Sequence, residues 1–206
     1  GAIVVDGDLS ESEWLAASPT TGFIQVQPIE GDLAEQQTEV RVLFGEDAIY
    51  VAACMFDEDP LTIADQLVRR DGDGQFDYFQ FALDPNLDQR TGYLFQVSAA
   101  NVQRDVYIYD DDRSDEAWNA VWTSAVRRDS QGWTVELRIP LSQIRYESGE
   151  KVQTWGVNFG RRRVASNETS YYAPISRLRR GLASQFGLMR GVRVDKPSRR
   201  VEIRPY

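Results

Sequence analysis

The chain has 206 residues, 42% of them hydrophobic and 11% aromatic, which suits one domain spanning 1–206 with a sizeable core. Its formal net charge of −9 argues against a nucleic-acid partner. There is no histidine and only one cysteine, Cys54, so the composition excludes an internal disulfide, a His-dependent nucleophile, an imidazole zinc site and a His-ligated haem.

Taken in chain order, the elements are mostly strands. Ser10-x-x-Glu13 has the spacing of a capping box and predicts one helical turn carrying Trp14. TEVRVLFG alternates, with Val40, Val42 and Phe44 on one face, and DAIYVAACMF follows across Gly45-Glu46 as its hairpin partner. PLTIADQL, with Pro60 in the first turn, predicts a short helix. FDYFQFALD sets Phe79, Phe81 and Leu83 against Tyr78 and Gln80 on the other face. GYLFQVSA sets Tyr93, Phe95 and Val97 against Leu94, Gln96 and Ser98. VQRDVYIY, AVWTSAVRRD and GWTVELRIP follow, the last with Trp133, Val135, Leu137 and Ile139 on one face. Pro140 to Ile144 predicts a further short helix, and TWGVNFGRRR, TSYYAPI and VEIRPY are the final strands. Alternation with turn signals at short intervals predicts an all-β fold, a two-sheet antiparallel β-sandwich with a few short helices.

The strands 76–84 and 92–99 flank the loop PNLDQRT. If that hairpin is symmetric about Asp88, Gln80 faces Gln96 and Tyr78 faces Ser98. Two long amides opposed across a ladder make a polar strip rich in donors and acceptors.

Charge is unevenly placed: residues 1–120 hold 25 acids and 6 bases, and residues 121–206 hold 7 acids and 17 bases. Either the halves interleave and neutralise each other, or the basic end faces an acidic partner or membrane surface. No apolar run approaches the ~20 residues of a membrane helix, so no transmembrane segment is expected, nor a signal peptide.

The acidic loops are candidate calcium sites, because Ca²⁺ takes carboxylate and carbonyl oxygens at free strand ends. Asp57, Asp59, Asp84 and Asp88 are the expected ligands, with a solvated acidic surface or Asx-turns as the alternative. Trp133, Trp155, Trp14 and Trp122 read as core. Trp118 is the least periodic tryptophan and the candidate for an exposed stacking surface, with Tyr107 and Tyr109. Glu136 and Arg138 share a polar face, a pairing that would be structural if buried. Cys54 reads as an inert buried thiol. DGDG at 71–74 lacks the Lys and Ser/Thr of a phosphate loop, so no nucleotide is expected.

Seven strings in order, IVVDGDLSESEW, QTEVRVLFGEDAIYVAACMFDEDP, DYFQFALDPNLDQRTGYLFQVSAANVQRD, WNAVW, GWTVELRIPLSQIRY, WGVNFGRRR and FGLMRGV, resemble the family 9 carbohydrate-binding modules over nearly the whole chain. The likeness is strongest to the N-terminal domain of bacterial outer-membrane proteins in which such a module precedes a C-terminal β-barrel of unknown function. It implies a non-catalytic sandwich, a glycan partner, a following barrel in the same chain, and a place in the periplasm or at the cell surface beside the outer membrane of a Gram-negative bacterium. It also implies structural calcium, as several relatives hold. Sugar-binding members clamp a terminal ring between two tryptophans, supported by a glutamate and an arginine. Those positions fall at Gly74 and Arg180, and at Gln80 and Gln96. The ligand-binding residues expected here are therefore Gln80, Gln96, Trp118, Tyr109 and Arg180, the two glutamines offering donors and acceptors to sugar hydroxyls. A structural docking domain for the barrel, without glycan binding, is the alternative.

Overall fold

Period-two alternation becomes two antiparallel sheets in a computed structural model of the chain, which describes residues 3–147 and 149–194. The strands are β1 (Ile24–Gln27), β2 (Thr38–Phe44), β3 (Ala48–Phe56), β4 (Tyr78–Asp84), β5 (Gly92–Ser98), β6 (Gln103–Tyr109), β7 (Arg113–Asp115), β8 (Thr123–Asp129), β9 (Gly132–Pro140), β10 (Gly149–Arg163), β11 (Glu168–Tyr171) and β12 (Gly187–Val194). The small sheet runs β2-β3-β9-β8, and the large one runs β1-β11-β10-β4-β5-β6-β7. β12 and β11 lie end to end along the same edge of the long β10, pairing with its first and last parts.

The core lies between the sheets. Val51, Ala53 and Met55 of β3 and Val135, Leu137 and Ile139 of β9 face Phe79, Phe81 and Leu83 of β4, Phe95 and Val97 of β5, and Trp155 and Phe159 of β10. Phe159 stacks on Phe81 at 5.7 Å between ring centroids. Each such ring removed from water is worth roughly 1.5–3 kcal/mol, so this layer dominates stability.

The strands expected from alternation form, TSYYAPI only as far as Tyr171, while β1, β7 and β12 carry too little alternation to announce themselves. The expected strand VEIRPY lies outside the described residues. The helices are shorter than expected. α1 covers Ser12–Ala16 and carries buried Trp14, but no side chain caps it. The capping box does not close because the Ser10 N–H goes to Asp8 Oδ1 at 3.2 Å. After Pro60 there is one 3-10 turn, Pro60–Thr62, before the chain extends to bridge Asp65 with Phe76.

Glu136 is also differently placed. It is fully buried and, among the described residues, pairs with no arginine: Trp14 Nε1–H donates to Oε1 at 2.8 Å, and the Asp6 and Gly7 N–H groups donate to Oε2 at 2.9 and 2.7 Å. It therefore staples the N-terminal segment to the small sheet. Arg138 instead pairs with Asp47 at 2.7 Å.

The charge halves do interleave. Arg127 pairs with Asp8, Arg128 with Asp65, Arg163 with Glu35 and Arg177 with Glu30, each a late base on an early acid. The most deeply buried case sits at one end of the sandwich. Arg161 projects inward from the large sheet and donates to Gln37 O, Thr38 Oγ1 and Phe56 O of the small-sheet end at 3.0, 3.2 and 2.7 Å. Asp57 stands 3.5 Å from Arg161 Nη2 and accepts from Arg163 Nε at 3.0 Å. Burial, and then the charge of Arg163, lower Arg161 from 12.5 to about 10, still charged at neutral pH.

Removing one partner of a buried ion pair strands the other charge. Asp57→Ala should therefore destabilise the fold by about 3–5 kcal/mol, read as a lower urea midpoint, whereas Asp8→Ala, which breaks a solvent-exposed pair, should move that midpoint far less.

Candidate functional site

Inward and outward faces of the large sheet are fixed by the register of β4 against its neighbours. Phe81 opposes Phe95 and Phe159, all inward. Gln80 then opposes Gln96 on β5 and Gly160 on β10, and Tyr78 opposes Ser98 and Arg162, all outward. The row continues to Arg104 on β6 and Tyr171 on β11. The outer face thus carries Tyr171, Gly160, Gln80, Gln96 and Arg104 in one line, with Arg162, Tyr78 and Ser98 in the line beside it.

This face is recessed. Tyr78 and Tyr171 keep accessible surface, yet burial pushes both phenols above the ordinary value of 10.0. The Tyr171 and Gln80 side chains converge over Gly160. Gly160 makes that meeting possible: a Cβ there would lie 2.8 Å from both Gln80 Cγ and Tyr171 Cε1.

Two segments wall the recess. On one side the 64–76 segment brings Phe76 against Tyr78, rings 6.4 Å apart, and Asp73 to Arg104 at 3.1 Å. At the Asp84 end, the 173–186 loop is clamped to the face by Asn158, whose amide donates to Ala173 O and accepts from Ala173 N–H, both at 2.9 Å. Asp111 holds the loop's far end by accepting the N–H groups of Leu182 and Ser184 at 3.0 and 2.8 Å. Gly181, at φ +93°, runs so close that a Cβ would strike Asp111 Oδ2. Arg177 ties the loop to Glu30 on the opposite side at 3.2 Å.

The expected site residues do not all converge. Gln80 and Gln96 meet as the hairpin symmetry implied. Arg180 is exposed on the walling loop. Trp118 lies on the other side of β5, half-buried, its ring 5.2 Å from Tyr93 and 5.8 Å from Phe95. Tyr109 is half-exposed at the end of β6, in the inward register of Tyr107. Sequence reading missed Arg104, Arg162, Tyr171 and Gly160; the alternation in QRDVYIY and GRRR marks the outward arginines, but nothing local says which strands adjoin β4. A separate shallow depression of about 390 Å³ is lined by Arg70, Asn101, Gln103, Trp122 and Ser124. Its polar groups bond one another, Ser124 Oγ to Asn101 Oδ1 at 2.7 Å and Gln103 Nε2 to Ser124 Oγ at 3.0 Å.

The four aspartates occupy opposite ends of the sandwich. Asp57 Oδ1 accepts the Asp59 N–H, and its remaining capacity goes to the two guanidiniums. Asp84 accepts the N–H groups of Asn86, Asp88 and Gln89 at 3.2, 3.3 and 2.8 Å, and Asp88 accepts those of Arg90 and Thr91. Donors already surround these oxygens, and among the described residues no three acidic or thiol side chains gather as a metal cage. The carboxylate oxygens of these loops therefore keep few free lone pairs for Ca²⁺, which takes 6–8 oxygens. Melting temperature should accordingly be unchanged by Ca²⁺ or by chelator in a scanning-calorimetry comparison.

The recessed phenols predict an alkaline signature. Folded Tyr78 and Tyr171 hold their protons above pH 10 while the unfolded chain releases them, so stability falls as pH rises past 10. Tyr171→Phe should flatten that fall, measured by urea unfolding along a pH series.

Comparison with known proteins bears on this geometry. The family model described as carbohydrate family 9 binding domain-like matches residues 5–168. None of the curated proteins compared matches the chain. Among solved structures, the chain is similar to a family 9 carbohydrate-binding module from Caldicellulosiruptor kristjanssonii in complex with cellotriose, at 18% identity, TM-score 0.67, over 100% of this chain and 96% of that one. The same module in complex with glucose gives 18% identity, TM-score 0.64 and the same coverage. A candidate carbohydrate-binding protein from Bacteroides uniformis gives 12% identity and TM-score 0.64 over 86% and 88% of the two chains. A model matching most of the chain, on a sandwich of this topology, makes this protein a member of the carbohydrate family 9 binding domain-like family.

Proposed function

We propose that this chain is a non-catalytic saccharide-binding module whose ligand lies on the outer face of the large sheet. The observation that carries the reading is the pairing of Gln80 with Gln96 in a recess that also holds Tyr78 and Tyr171. Primary amides both donate and accept, as sugar hydroxyls require, and phenol rings offer apolar surface to sugar C–H groups. The family supports the same reading, its solved members including one in complex with cellotriose and with glucose. Glycoside hydrolysis needs two carboxyl groups about 5–9.5 Å apart across the bond, whereas this floor presents amides, phenols and guanidiniums. The clamp positions at Gly74 and Arg180 offer no aromatic ring, so polar contacts carry more of the binding. On the likeness of the seven sequence strings, the module works in the envelope of a Gram-negative bacterium, next to an outer-membrane β-barrel.

Isothermal titration of a saccharide panel that includes cellotriose and glucose tests the binding. At least one sugar should give saturable heat, and Gln80→Ala with Gln96→Ala should weaken it at least tenfold, about 1.4 kcal/mol. Silence across the panel, or binding indifferent to both substitutions, contradicts the proposal.

A further inference from the structure

We infer, resting on the saccharide reading above, that the ligand is an acidic saccharide, with a uronic-acid carboxylate seated beside Tyr78 between Arg162 and Arg104. The arginine triplet at the end of β10 divides by parity. Arg161 and Arg163 turn inward and use up Asp57 and Glu35. Arg162 turns outward and bonds only neutral oxygens, Thr169 Oγ1 at 3.2 Å and Asn167 Oδ1 at 2.6 Å. Among the described residues no carboxylate pairs with it. Its Cα partner on β4 is Tyr78, and the charges of both Arg162 and Arg104 are felt at the Tyr78 hydroxyl. The hydroxyl therefore lies in a positive field from two sides.

The floor itself holds no acid: its outward residues are tyrosine, glutamine, serine, threonine, glycine and arginine. Asp73 and Glu116 stand on the rim with side chains 96% and 59% exposed, and both are paired with Arg104. Ion pairs this exposed contribute little, so an incoming carboxylate can take their place at Arg104. Arg179 and Arg180 on the walling loop are exposed and make no ion pair among the described residues. An arginine left without a carboxylate, as Arg162 is among the described residues, in a chain of net charge −9 is a local feature that general surface composition does not explain. Guanidinium groups suit carboxylates because their planar donors match the two oxygens. The flanking Gln80, Gln96 and Tyr171 then meet the hydroxyls of the same ring, which separates a uronic acid from a simple carboxylate.

The test is titration of the whole chain with trigalacturonate, cellotriose and acetate, at low and at physiological salt. Trigalacturonate should bind at least tenfold tighter than cellotriose, weaken as salt rises, and not be displaced by acetate. Arg162→Met should remove the preference, and Arg162→Lys should restore part of it, with thermal melts showing both variants folded. Cellotriose binding as well as or better than trigalacturonate, or a preference surviving Arg162→Met, overturns the acidic assignment and leaves the saccharide reading standing. Silence from every sugar overturns both. Displacement by acetate reduces the site to a carboxylate cradle and also overturns the assignment.

Discussion

Parity along the β4–β5 hairpin governs both halves of this molecule. Phe81 and Phe95 meet on the inner face, so Gln80 and Gln96 must meet on the outer one. A slip of one residue would send both amides into the core and the aromatic rings into water, which burial of the Phe79, Phe81, Phe95 and Phe159 layer forbids. The floor of the recess therefore inherits its precision from the core beneath it. Beyond the hairpin's own 85–91 connection, no loop has to fold correctly for the two glutamines to be adjacent. The loops only decide how deep they sit.

The arginine triplet shows the same logic in charges. Three consecutive residues on an extended strand cannot share a face. Arg161 and Arg163 are drawn inward, where backbone carbonyls and Asp57 compensate them and tie the large sheet to the ends of β2 and β3. Arg162 is left outside among neutral partners. A structural cross-link and a surface cation thus come from one short run. The interleaving of the acidic and basic halves follows from the sheet order, because β9 inserts between β3 and β8, and β10 packs beside β4.

Much of this was legible in the sequence because alternation is a local property. The hairpin register could be read from the symmetry of the loop around Asp88, and the core faces from the apolar period. What stayed hidden depends on pairings distant along the chain. Tyr171 reaches Gln80 only because β11 and β4 flank β10, and no pattern within either strand states that. Trp118 looked irregular enough to be exposed, yet the segment after β7 folds it back over Tyr93 and Phe95. The capping box had the right spacing but lost Ser10 to an Asx-type contact with Asp8. Glu136 shared a strand face with Arg138, but the N-terminal segment, remote in sequence, supplied its partners.

The central claim is that ligand binding uses the outer face of the large sheet, and nuclear magnetic resonance addresses it residue by residue. In an ¹⁵N-labelled sample titrated with a saccharide that binds, the side-chain amide signals of Gln80 and Gln96 should shift together with the backbone of Gly160 and Tyr171, while the indole signals of Trp118 and Trp122 stay in place. Shifts confined to those indoles, or to the depression around Arg70 and Gln103, would contradict the account.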